Sequence, residues 1–133
     1  RKVLPDGGAA MSAVLLELRD TLDASREADA DVQRRLAQLR YLGTTVAMAA
    51  HADPALPYEV ADDYLRSTML AMLAWAWARI ETASPGDAEK ARVAAAFRRW
   101  VLPEFEMRMG IVKKACETVA LTHAAAPGGG VSN

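Results

Sequence analysis

Four ionisable residues within eight positions, Glu59, Asp62, Asp63 and Arg66, form a cluster that could move a proton. Paired carboxylates serve general acid and base catalysis when burial or a neighbouring charge separates their proton affinities. The same acids suit the positive end of a helix dipole, and Asp62 stands four residues before Arg66, the spacing of an ordinary surface ion pair. The helix-start explanation is the stronger of the two. Cys116 has Lys113 and Glu117 for neighbours, and a nearby cation can lower a thiol pKa towards reactivity. No histidine is placed to act as its base, so an inert, buried cysteine is the expected role. His51 and His123 each lack a second histidine or a carboxylate three or four residues away, and no Glu-x-x-His pair of the di-metal bundles occurs;. Gly7 with Gly8, and Gly128 to Gly130, lack the lysine and the spacing of a phosphate cradle;. Met48, Met69, Met72, Met107 and Met109 could line an adaptable pocket for an acyl chain. Their helical spacing favours filling of a core. No catalytic, cofactor-binding or metal-ligating residue is therefore assigned.

The elements that must carry these residues are bounded by composition. The chain has 133 residues, 52% hydrophobic, with 16 Lys plus Arg against 17 Asp plus Glu. That is the size and make-up of one domain, able to bury roughly two thirds of the surface its unfolded chain exposes. A net charge of -1 exerts no pull on a phosphate backbone;. The clusters Arg34, Arg35 and Arg40, and Arg98 with Arg99, share their helices with acids and read as solvated faces;. A nucleic-acid partner is not expected. The longest uncharged apolar runs, between Arg40 and Asp53 and between Arg66 and Arg79, are twelve residues each, whereas a spanning helix needs about 20. No membrane crossing is expected. The single cysteine fits a reducing compartment, so the expected location is cytoplasmic;. No apolar signal core follows Arg1 and Lys2, and a chain opening on arginine and ending in a glycine-rich tail suggests a piece of something longer;.

Twenty-eight alanines and eight aromatics favour helix over sheet;. Prolines at 5, 54, 57, 85, 103 and 127 leave room for four helices;. Val14, Leu15, Leu18 and Leu22 recur at three and four spacing, giving a first helix from Ala9 to about Arg26;. A turn near residues 26 to 30 leads to a second helix from about Asp31 to Ala52, supported by an Asp31 to Arg35 pair. Inside it, Gly43 costs about 1 kcal/mol against alanine and so marks a close approach by a neighbouring helix. His51 to Pro57 reads as a loop;. A third helix spans about Tyr58 to Thr82, with Val60, Tyr64, Leu65, Thr68, Met69, Met72, Leu73, Trp75, Ala76 and Ile80 over more than half of its circumference, as for the most buried helix of the set;. Ser84, Pro85, Gly86 and Asp87 read as a cap, a first-position proline and an acid three residues after the cap. A last helix continues to about His123, kinked near Leu102 because Pro103 clashes with the carbonyl of Arg99. The expected fold is all-α, an antiparallel up-and-down four-helix bundle over residues 9–123, with a linker at 1–8 and a tail at 124–133.

One stretch carries more than composition. Ala61-Asp62-Asp63-Tyr64-Leu65-Arg66, then Leu73-Ala74-Trp75-Ala76-Trp77-Ala78-Arg79, then Ala96-Phe97 and Val101-Leu102-Pro103-Glu104 resemble, in order and spacing, the C-terminal helical extension of the larger bacterial acyl-CoA dehydrogenases. The likeness covers about residues 10 to 123 and rests on structural motifs. It implies a parent polypeptide that uses FAD to oxidise an acyl-CoA thioester to its enoyl form. Flavin, substrate and catalytic glutamate would belong to preceding domains, and no cofactor site is implied in this chain. The extension would be a partner of those catalytic domains, covering surface that shorter relatives use for tetramer assembly. From the residues alone, a homo-oligomer through an apolar helix face is expected, and at least one of Trp75, Trp77 and Trp100 should lie at an interface. The other reading is an independent helical module for oligomerisation or partner docking.

Overall fold

A computed structural model describes residues 8–125. Six helical segments follow one another: α1 (Ala9–Asp20), α2 (Glu27–Ala49), α3 (Leu56–Glu59), α4 (Ala61–Ala83), α5 (Ala88–Trp100) and α6 (Pro103–Ala125). The all-α expectation holds. The four-helix count does not, because five long helices and one single turn replace it. The expected linker falls outside the described residues apart from Gly8, whose φ of 83° starts α1 in a conformation natural to glycine;. The expected tail lies beyond them from residue 126 onward, and α6 runs two residues past His123.

Local chemistry explains each shifted boundary. α1 stops at Asp20, where the Thr21 hydroxyl donates back to the Leu18 carbonyl over 2.7 Å;. The Asp23 carboxylate accepts from the Ser25 hydroxyl and amide at 2.7 and 3.0 Å. These two bonds also hold that carboxyl below its usual pKa;. α2 then begins at Glu27, four residues earlier than periodicity suggested, because Asp29 stabilises the first turn instead of interrupting it. Its buried carboxylate accepts from the Asp23 amide over 2.9 Å and so ties the α1–α2 turn to the helix. In the proline loop, Leu56 and Pro57 are already helical. Proline in a first turn loses no hydrogen bond, so α3 forms there as a separate turn before α4;. Asp87, not Ser84, caps α5: its carboxylate accepts from the Lys90 amide over 3.1 Å, and this bond lowers its pKa;.

The expected kink near Leu102 is a complete break. The amides of Val101 and Leu102 both reach the Phe97 carbonyl at 2.9 Å, the helix ends at Trp100, and Pro103 becomes the first residue of α6. A proline that would clash inside a helix is thereby placed where its missing donor costs nothing.

α2, α4 and α6 make the core. Leu36, Leu39, Leu56, Leu70, Phe105 and Val112 are fully buried, and Leu15 brings α1 onto the same cluster. Paired contacts give the directions. Asp63 meets Arg108 and Arg66 meets Glu104, so α4 and α6 run antiparallel. Ser12 accepts from Arg40 while Asp23 lies beside Asp29, so α1 and α2 do the same. Gly43 sits where expected: a Cβ there would stand 2.7 Å from the Tyr64 hydroxyl, which donates to the Leu39 carbonyl over 2.8 Å.

Candidate functional site

The acidic cluster at the start of α4 divides three ways. Asp63 accepts from Arg108 at 2.8 Å, Glu59 lies in the separate turn α3, and Asp62 is exposed with no cation beside it among the described residues. Arg66 does not pair with Asp62. Its guanidinium donates twice to Glu104, at 2.8 and 3.1 Å. Arg108 donates to the same carboxylate at 2.9 Å. The two arginines, Arg66 first, hold the Glu104 carboxyl below its usual range, while Glu104 and Asp63 raise the pKa of Arg108;. Two acids bound by two arginines form a clamp between α4 and α6;.

Cys116 is buried. Burial, with Glu117 adding to it, pushes its thiol pKa up and away from thiolate chemistry;. His51 lies beyond the end of α2 and His123 in the last turn of α6, both exposed. No group of three metal-binding side chains occurs among the described residues. An open groove of about 540 Å³ is lined by Asp31, Arg34, Arg35, Gln38, Tyr41 and Glu106. Its charges are already neutralised: Asp31 accepts from both arginines and Arg35 also meets Glu106 at 3.2 Å. The expected Asp31 to Arg35 pair is thus present, at 2.8 Å.

The methionines correct an expectation. Of the five singled out from the sequence, only Met109 fills the core. Met48, Met69, Met72 and Met107 are exposed. Leu65, Leu73 and Ile80, read from periodicity as core, are also on the surface. α4 is apolar on two opposite faces, and the bundle covers one of them. Ser67, Leu70, Ala71, Ala74 and Ala78 are buried against the rest of the fold, and most are small, so neighbouring backbones approach closely;. On the other side Leu65, Met69, Met72, Leu73 and Ile80 keep 36 to 45% of their surface in water, with half-buried Ala76 among them.

Polar contacts hold the margins of this stripe. Trp75 donates its indole N–H to the Thr21 hydroxyl at 2.7 Å, and Arg79 donates to the Thr21 carbonyl at 2.9 Å. Arg66 is held by Glu104 on the other margin. Trp75 and Trp77 pack partly against the core, whereas Trp100 is 73% exposed with the Arg99 guanidinium 4.9 Å from its ring centre. Trp100 therefore stands outside the core.

Contiguous apolar surface rimmed by ordered polar contacts is the usual mark of an interaction site. Sequence periodicity missed the stripe because it counts apolar residues without telling which face meets the neighbours. The repeat of small residues at 67, 71, 74 and 78 was the available signal for the packed face. Among the described residues no helix is long and apolar enough to cross a membrane. Comparison of the chain with protein-family models, with curated proteins and with solved structures gives no match.

Proposed function

We propose that this chain is an accessory bundle of an FAD-dependent acyl-CoA dehydrogenase, packing on the catalytic body and shaping how the enzyme assembles, with no chemistry of its own. The observation that carries the assembly role is the outer stripe of α4, on which five large apolar side chains keep 36 to 45% of their surface in water;. The Asp63, Arg66, Glu104 and Arg108 clamp supports a structural role for the motif residues that resemble the dehydrogenase extension. Flavin and substrate contacts belong, on this reading, to domains outside these residues.

The test compares this chain with the full product of its gene. The full product should carry flavin absorbance and oxidise an acyl-CoA, and this chain alone should be colourless and helical. Stoichiometric flavin on these residues alone, or a full product without flavin, overturns the dehydrogenase reading. The second outcome favours the alternative, a self-standing helical docking module, which the same stripe would serve.

A further inference from the structure

The exposed side of α4 has a seam. Asp62, Leu65, Met69, Met72, Ala76 and Arg79 follow one another at intervals of three, four, three, four and three, the alternation that keeps residues in line along a helix that packs on another helix;. Four central positions are apolar and the two ends carry opposite charges. Among the described residues neither end charge has a counter-ion of its own: Asp62 has no cation beside it, and Arg79 donates to the Thr21 carbonyl, not to an acid. An arginine and an aspartate left at opposite ends of one apolar seam are complementary to the same seam turned end for end.

We propose that a second copy of this chain covers the stripe, α4 packing antiparallel on α4 about a two-fold axis between Met69 and Met72. This rests on the assembly role proposed above, not on the packing against the catalytic body, and names the stripe's occupant. The register follows from the symmetry, because positions equidistant from the axis share a layer. Met69 packs with Met72 of the partner subunit, Leu65 with Ala76 of the partner subunit, and Asp62 meets Arg79 of the partner subunit at both ends. Leu73 and Ile80 widen the contact along one margin. A parallel arrangement would set Asp62 against its own copy and Arg79 against its own copy, so charge selects the antiparallel pair. Flexible methionines at the centre fill the layer without demanding one exact shape.

Sedimentation equilibrium of this chain over a range of concentrations reads the association directly, with circular dichroism to confirm helicity. The chain should dimerise, and Met72→Glu, at an exposed site, should leave a helical monomer. Asp62→Arg places like charges at both ends and should weaken the dimer by about tenfold or more. Adding Arg79→Asp restores complementarity and should recover most of that loss. Should Arg79→Asp disturb the α1 contact at Thr21, Asp62→Arg alone still reports on the end layers. A chain that stays monomeric at all concentrations, a dimer indifferent to Met72→Glu, or a charge swap that fails to rescue would each overturn the antiparallel pairing. The assembly role fails separately: it is lost only if Met72→Glu also leaves the assembly of the full gene product unchanged.

Discussion

The two faces of α4 invert the usual distribution of size. Its buried side is built largely from Ser67, Ala71, Ala74 and Ala78, its exposed side from Leu65, Met69, Met72, Leu73 and Ile80. Small residues inside let α2 and α6 approach the α4 backbone, and the core volume is supplied by partners such as Leu36, Leu39 and Phe105;. Large residues outside add nothing to that core. A helix can therefore be the central element of a fold while keeping several large apolar side chains for another surface.

Substitutions ranked by expected cost would break or sharpen this contrast. The largest effect should come from the inner side's filler: Phe105→Ala, at a site with no exposure, should cost about 3–5 kcal/mol in chemical denaturation;. Next, Ala74→Leu should cost about 1–3 kcal/mol by forcing α4 away from its neighbours;. If Ala74→Leu is neutral, the inner face is not tightly packed and the contrast fails.

The contact of Tyr64 with Gly43 gives a coupled test. Gly43→Ala should destabilise despite the helix propensity of alanine, because the new Cβ meets the Tyr64 hydroxyl at 2.7 Å;. Tyr64→Phe should cost about 1 kcal/mol through its lost bond to the Leu39 carbonyl, and should make Gly43→Ala better tolerated than in the parent;. Additive losses in the double variant would show that the hydroxyl is not what excludes a side chain at Gly43.

Burial pushes the Tyr64 pKa up to about 12 from an ordinary value of 10.0. The folded state therefore holds this proton more tightly than the unfolded chain does. The stability it contributes is complete below pH 10.0 and is lost as pH rises towards about 12;. Ultraviolet titration should show one tyrosine ionising late, and Tyr64→Phe should remove it.

On the outer side, Met69→Gln should change stability of the monomer by no more than about 0.5 kcal/mol. A loss like that of Ala74→Leu would mean the stripe is covered from within. The smallest effect belongs to the clamp. Glu104 is held ionised by Arg66 and Arg108, so its contribution is present above the ordinary carboxylate pKa and fades as pH falls through its lowered value;. Glu104→Gln should slightly lower the thermal midpoint at neutral pH and flatten its decline in acid.

Helix content, the separation of α5 from α4 at Ser84 to Asp87, and the close approach at Gly43 were legible in the sequence. Each depends on local backbone chemistry: alanine propensity, a proline-glycine turn, a missing Cβ. The start of α2 was placed four residues late because a short acid such as Asp29 can end one helix or anchor the next, and the choice depends on the Asp23 amide folding back to it. The pairing of Arg66 with Glu104 instead of Asp62 could not be read, since those partners lie 38 residues apart.

The sequence by itself determined that the chain would be helical, that Pro103 would interrupt its last stretch and that α4 would be apolar over more than half of its circumference. Propensity and periodicity are properties of a few neighbouring residues, so they survive without knowledge of the fold. Only the tertiary structure decided which side of α4 is covered, that Pro103 separates two helices, and that four of the methionines considered for a core or pocket face water. Those outcomes depend on which helices meet, a choice made by side-chain size and pairing across distant parts of the chain.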